Sequence, residues 1–229
     1  MKITILTLFP EMILPTLNAS IINRAKEQDL VEFEIINYRV FSQNKHKTVD
    51  DTPYGGGAGM VLSVEPIYFA LKSIEDYKSA YKVLLTPQGK TYNQKLANQF
   101  VKKDHIILIC GHYEGFDERV REYVDAEISI GDFVLSGGEI GALAIVDSVV
   151  RMIPGAIGDK DSYINDSFYN GLLDYPQYTK PREFNGLKVP DVLLNGNHKL
   201  IEEWRKNKQI ERTKIRRPDL YKKYQKNTK

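Results

Sequence analysis

The residues best equipped for chemistry in this sequence sit in glycine-bearing turns. SIGDFVLSGGE, Ser129 to Glu139, carries Gly131, Gly137 and Gly138, which bend the chain where a side chain would clash. Main-chain N–H groups in a turn that follows a strand end can bind a small molecule without any conspicuous side chain. The same glycines would equally serve a tight turn needed only for packing. CGHYEGFDERV, Cys110 to Val120, offers a second such turn with His112, Tyr113 and Glu114. A thiol nucleophile at Cys110 beside His112 is discounted, because an interior cysteine ordinarily acts as a small apolar side chain. A third stretch, VDDTPYGGGAGM, holds Gly55, Gly56, Gly57 and Gly59, so it either moves, lets a ligand approach the main chain, or is a flexible surface loop.

Several familiar chemistries are excluded. Gly89-Lys90-Thr91 resembles the tail of a phosphate-binding loop, but Leu84 stands where the first glycine is required. No G-x-G-x-x-G occurs, and the four histidines and single cysteine form no zinc-like cluster. Asp159, Asp161 and Asp166 lack the spacing of a calcium loop. No metal site is assigned.

The elements that must position these turns alternate between strand and helix. Apolar runs predict strands at Ile3–Phe9, Val31–Tyr38, Tyr81–Leu85 and His105–Cys110, and one more beginning at Ala126. Helices are expected near 18–27, 65–73 and 91–102, with a short one after the Cys110 turn. Ser136 and Glu139 have the spacing of a helix cap in which the Glu reaches back to the Ser. A buried helix is therefore predicted from about Gly137 to Pro154-Gly155. This pattern implies an α/β layer with a parallel sheet. Near the end, Leu200, Ile201 and Trp204 share one helical face and Pro218 opens a last short helix. The expected organisation is an α/β domain over 1–158, a flexible polar linker over 159–171, and a small helical, basic domain over 172–229.

Apolar residues make up 42% of the chain, yet no run reaches the length of a membrane span. The N-terminal MKITILTLFP reads as a first strand and not a signal peptide, and one cysteine suits a reducing compartment, so the expected location is the cytoplasm. The net charge of +2 conceals an asymmetry: residues 1–160 carry 17 basic and 21 acidic side chains, whereas residues 161–229 carry 15 and 9. From Lys199 onward the balance is +8, enough to attract a polyanion, though a solvated helical face would look the same.

Nine stretches taken together, KITILTLFPEM, DDTPYGGGAGM, LLTPQGK, CGHYEGFDERV, SIGDFVLSGGE, IPG, NDSF, LLDYPQYTKP and VLLNGNH, resemble the bacterial tRNA (guanine-N1)-methyltransferase family TrmD, of the SPOUT class. The resemblance spans nearly the whole chain in order. It implies a parallel α/β sheet with a deep trefoil knot, and a homodimer whose subunits share each active site. It also implies S-adenosylmethionine as methyl donor and methylation at N1 of the tRNA guanosine at position 37, just 3′ of the anticodon. By the same resemblance the donor contacts Leu85, Thr86, Pro87 and Gly89, then Gly111, Tyr113 and Glu114, then Ile130, Gly131, Asp132, Phe133, Val134, Leu135, Gly137 and Gly138. Two positions depart from the pattern: His112 stands where many members carry Arg, and Phe133 where many carry Tyr, so no hydroxyl role is assigned there.

N1 of guanine bears a weakly acidic proton, so its methylation needs a base for that proton and a cation for the charge that builds toward O6. The resemblance places the base at Asp166 and the cation at Arg151. On the residues alone, Arg151 could merely pair with Asp147 and Asp166 could merely cap a helix. Asp174 corresponds to a family carboxylate near the tRNA, and Lys214, Arg216 and Arg217 are the tail cations expected to hold RNA. Because Asp166 lies in the polar linker, it is expected to be mobile until RNA binds. Magnesium enters through the family only, without a ligand cluster in the sequence. Another SPOUT enzyme acting on a different base or ribose, and an RNA-binding protein without catalysis, are the competing readings.

Overall fold

The structure, a computed structural model, describes residues 1–157 and 166–227. The chain divides into two compact units, Met1–Gly158 and Asp159–Lys229. Of the linker expected over 159–171, residues 159–165 lie outside the described residues.

The first unit runs β1 (Lys2–Thr7), α1 (Pro10–Leu17), α2 (Ser20–Glu27), β2 (Glu32–Asn37), β3 (Asp50–Asp51), β4 (Val61–Leu62), α3 (Val64–Ser73), β5 (Tyr81–Thr91), α4 (Gln94–Phe100), β6 (His105–Ile109), β7 (Ala126–Ser129) and α5 (Glu139–Val150). Five strands form one parallel sheet in the order β2-β1-β6-β5-β7. Alternate residues feed two cores, one on each face. Ile3, Ile5, Val83, Ile106 and Leu108 pack with Leu17, Ile22, Phe100 and Val149, whereas Leu6, Leu84, Ile107 and Ile109 pack with Ile67 and Leu71. Covering both faces of a parallel sheet is what makes its strands read as unbroken apolar runs.

Besides the short β3–β4 pair, three elements of the first unit differ from the sequence expectation. α1 was not anticipated: Pro10 in its first turn supplies a preset φ and Glu11 an acid where the helix dipole favours one, but Pro15 looks like a breaker. β5 does not stop at Leu85. Leu85 and Lys90 both pair with Ile128 of β7, so residues 86–89 are expelled from the ladder as a loop before pairing resumes. The third difference concerns the start of α5, where Ser136 caps nothing; Gly138 is the N-cap residue and makes no side-chain cap bond. Glu139 instead turns inward, and the helix ends at Val150 and not at Pro154. Most of α5 is buried as expected, but Ile140, Ala144 and Asp147 form an exposed stripe.

In the second unit, β8 (Glu183–Phe184) and β9 (Leu187–Lys188) form a hairpin across Asn185-Gly186, followed by α6 (His198–Arg216) and α7 (Pro218–Asn227). Asn197 caps α6 by accepting the Leu200 N–H at 3.3 Å. Thr213 Oγ1 accepts from Leu173 N–H at 2.9 Å, Arg212 donates to the Asp174 carbonyl at 3.3 Å, and the Arg205 guanidinium lies 4.8 Å from the Tyr175 ring. These contacts tie the 172–175 segment along α6.

At the N-terminal edge of the sheet, His105 bridges Asp76 and Thr4, each at 2.8 Å. Burial would raise the Asp76 carboxyl, but the hydrogen bond and charge of His105 outweigh it and hold it below its ordinary value of 3.8. A depressed folded-state value means stability that is present above the unfolded value and lost as pH falls through the folded one. Asp76→Asn is therefore expected to lower stability at neutral pH, with the gap to the parent closing below about pH 4; urea unfolding at several pH values measures it, and a gap that stays constant with pH contradicts the account.

Candidate active site

A cavity of about 350 Å³ opens at the C-terminal ends of β5, β6 and β7. That edge is where open α/β sheets bind ligands, because strand ends carry main-chain groups outside the ladder. Its walls are the expelled loop after Leu85, the turn from Gly111 to Phe116, and the loop from Ile130 to Gly138. All of the donor contacts expected from the sequence line it except Gly89 and Asp132. Gly89 serves the sheet instead. A Cβ there would collide with the β7 backbone at Glu127 and Ile128, so the missing side chain is what lets β5 close again on β7.

Missing side chains also shape the cavity floor. A Cβ on Gly111 would enter the Phe116 ring, and one on Gly137 would meet both His112 and Glu139. A Cβ on Gly138 would stand 2.8 Å from Cys110 Cα, with backbone and not a flexible side chain in the way. The two loops are locked together at this point, Gly138 N–H donating to the Gly111 carbonyl at 2.9 Å and His112 bridging Gly137.

Sequence reasoning passed over several lining residues, among them Gln88, Phe116, Glu118 and Arg121, and named His112 in its turn without giving it a contact. Arg121 reaches Glu118 at 2.8 Å, Gln88 at 2.6 Å and also Glu127, thereby fastening the expelled loop to the turn before β7. With Arg121 matched by Glu118 and Glu127, Glu114 leaves the cavity lining acidic. Cys110 is fully buried and burial pushes its thiol up, so it is not the nucleophile the Cys-His spacing suggested. Tyr38, whose hydroxyl burial also pushes well up, donates to the Cys110 carbonyl at 3.1 Å and holds that strand end in place.

The remaining predicted residues are not among those lining the cavity. Arg151 closes α5, its N–H donating to the Asp147 carbonyl at 3.2 Å. Asp166 opens a turn in the second unit, where Tyr169 N–H reaches its carbonyl at 3.4 Å. The Asp174 carboxylate accepts from Tyr175 N–H at 2.7 Å and Gln177 at 3.2 Å. Lys214 and Arg216 are exposed in the last turn of α6. Arg217 makes a bidentate pair with Asp219, whose carboxyl that hydrogen bond pulls down to about 2. Much of the Arg217 charge is thus already answered locally.

A family model described as tRNA (Guanine-1)-methyltransferase TrmD matches residues 1–223. Proteins named tRNA (guanine-N(1)-)-methyltransferase are similar over most of the chain. One from Malacoplasma penetrans is 58% identical over 224 residues, covering 98% of each chain. Another from Brevibacillus brevis is 54% identical, covering 97% of this chain and 92% of its own. A third from Bacillus subtilis is 54% identical, covering 97% and 93%.

The glycines give a direct check on this geometry. Gly138→Ala is expected to cost about 1–3 kcal/mol through overpacking against backbone. Gly141→Ala, whose Cβ would make only ordinary 3.6 Å contacts with Ile130 and Leu85 inside a helix, is expected to stay within about 1 kcal/mol of the parent. Denaturant unfolding of the two variants measures the contrast, and equal losses contradict it.

Proposed function

The chain belongs to the tRNA (guanine-1)-methyltransferase TrmD family and methylates N1 of guanine in tRNA, and we propose that its cavity at the β5, β6 and β7 ends holds S-adenosylmethionine. The observation that carries the donor reading is the convergence of thirteen expected contacts on one cavity built from main chain and acids. Its volume of about 350 Å³ lies within the range of small-molecule sites. Glycine turns at Gly111, Gly137 and Gly138 leave room for close main-chain contact, Leu85, Pro87, Phe133 and Leu135 give apolar walls, and Glu114 suits a ligand with a cationic group. When bound, the donor supplies an electrophilic methyl group on a sulfonium.

The protein's own residues must make the guanine nucleophilic. Asp166 takes the N1 proton, and Arg151 balances the charge that spreads to O6. Both roles follow from the family positions, and a carboxylate with a guanidinium is sufficient for this proton transfer. Contact with RNA brings Asp166 into register. Asp174 approaches the tRNA nearby, and Lys214, Arg216 and, to a smaller degree, Arg217 hold its phosphates. The target is the guanosine at position 37, the sheet belongs to a deep trefoil knot, and two copies form a homodimer that shares each site. The locking bonds between the Gly111 and Gly138 loops support a chain that tucks one loop against the other. Among the described residues no group of three or more His, Cys, Asp or Glu side chains could hold a metal, so no residue is assigned to magnesium. No helix among the described residues is long and apolar enough to cross a membrane, and the single buried Cys110 suits the reducing cytoplasm.

Two experiments test this reading. Asp166→Ala is expected to slow methyl transfer to tRNA by about 10²–10⁴-fold with tRNA binding retained; labelled-donor assays with nucleoside identification measure it, and a variant that turns over at the parent rate removes Asp166 as base. Replacing Lys214, Arg216 and Arg217 together with Ala should flatten the dependence of tRNA affinity on log salt by about two to three units. Arg217 alone is expected to account for the smallest share, and an unchanged slope takes the tail out of the RNA surface.

A further inference from the structure

Glu139 is fully buried, its side chain 0% exposed, at the first position of α5. A carboxylate taken out of water is costly unless both oxygens find donors. Here Thr7 Oγ1–H donates to Oε1 at 2.6 Å and His112 Nε2–H donates to Oε2 at 2.8 Å. The positive end of the helix dipole adds to the balance. Thr7 ends β1, His112 follows β6 and Glu139 begins α5, so one carboxylate ties together three elements distant in sequence. The Phe9 N–H in turn donates to Thr7 Oγ1 at 2.9 Å, which fixes the hydroxyl's orientation.

His112 occupies an unusual place in this arrangement. Its ring packs against Phe9 with centroids 4.6 Å apart, and it fills the space that a Cβ on Gly137 would need. The imidazole is itself part of the cavity lining, between the turn that carries Tyr113 and Glu114 and the loop that carries Gly137 and Gly138. We propose that His112, held by the buried carboxylate of Glu139, is a positioning residue that sets the separation of the two walls of the methyl-donor cavity. The inference rests on the donor reading above. Without the imidazole, Glu139 keeps one donor, the Gly137 loop loses the surface it rests on, and water enters where the donor binds. The effect falls on donor binding and not on the RNA contacts, which are assigned to the second unit.

The test is calorimetric titration of S-adenosylmethionine into the parent, His112→Ala, His112→Gln and Thr7→Val proteins, with KM for donor and tRNA measured separately. His112→Ala is expected to weaken donor binding by about tenfold or more, the scale of a hydrogen bond to a charged group, and to raise the donor KM in proportion. Its KM for tRNA is expected to stay within about twofold of the parent value. His112→Gln, whose side-chain amide can donate to Glu139 in place of Nε2–H, is expected to recover binding to within about threefold. If His112→Ala does not fold, Thr7→Val, which removes a donor from Glu139 without touching the lining, is expected to weaken donor binding by about threefold or more. Folded variants that bind the donor as the parent does, or a Gln variant no better than Ala, overturn the positioning role while leaving the donor reading intact. A parent protein that takes up no donor overturns both.

Discussion

A parallel sheet covered on both faces has no face open to a ligand, and this constraint moves the site to the strand ends, where main-chain groups leave the ladder. Ile5, Leu84, Ile107 and Leu108 are all completely buried, so neither sheet surface is open to a ligand. At the C-terminal edge the ladder is also broken by its register: Leu85 and Lys90 compete for Ile128, and the four residues between them must leave the sheet. Three of them, Thr86, Pro87 and Gln88, line the cavity beside the Gly111 and Gly131 turns. Six of its twenty-three lining residues are glycine, which is why glycine marks the site better than any reactive side chain does.

Backbone turns are floppy unless something stiffens them, and the stiffening comes from polar bonds, some at the surface and some buried. Arg121 fastens the expelled loop through Gln88, while Tyr38 fixes the Cys110 carbonyl just before the second turn. Glu139 does the same for the third wall. Apolar packing alone tolerates small slips, whereas a buried carboxylate satisfied by two particular donors does not, because any slip leaves charge unanswered in a low dielectric. The same reasoning accounts for Gly137 and Gly138: the bonds can form only if the loop lies almost against the β6 strand end.

How much of this was legible depends on the range of the interaction. Buried strands such as His105–Ile109 announce themselves as continuous apolar runs, and turn glycines announce themselves one residue at a time. Thus the sheet and the glycine turns could be read from the residues, and the resemblance supplied thirteen of the twenty-three residues that line the cavity. The Ser136–Glu139 spacing misled, since the cap is a local pattern and the true partner, Thr7, lies 132 residues away. α1 was hidden by Pro15, and the return of β5 to the sheet was hidden because the register shift depends on β7, far along the chain. Arg121, and the partner of His112, were missed for a related reason. A histidine or arginine in a turn carries no sign of whether its partner is solvent or a buried acid.

The two halves of the reaction are encoded in different ways. Holding a methyl donor needs shape, and shape comes from glycines and fixed loops whose identity survives as motif. Moving a proton from guanine N1 needs a carboxylate and a cation, and neither Asp166 nor Arg151 lies in the cavity lining. Charge follows the same division, with acids in excess through residue 160 and bases in excess after it. In the proposed mechanism the base therefore belongs to the part of the chain that attracts RNA, and the donor to the part that does not. On that proposal the base acts only when a nucleobase has arrived, so its proton-accepting power is used on guanine N1 and not on water.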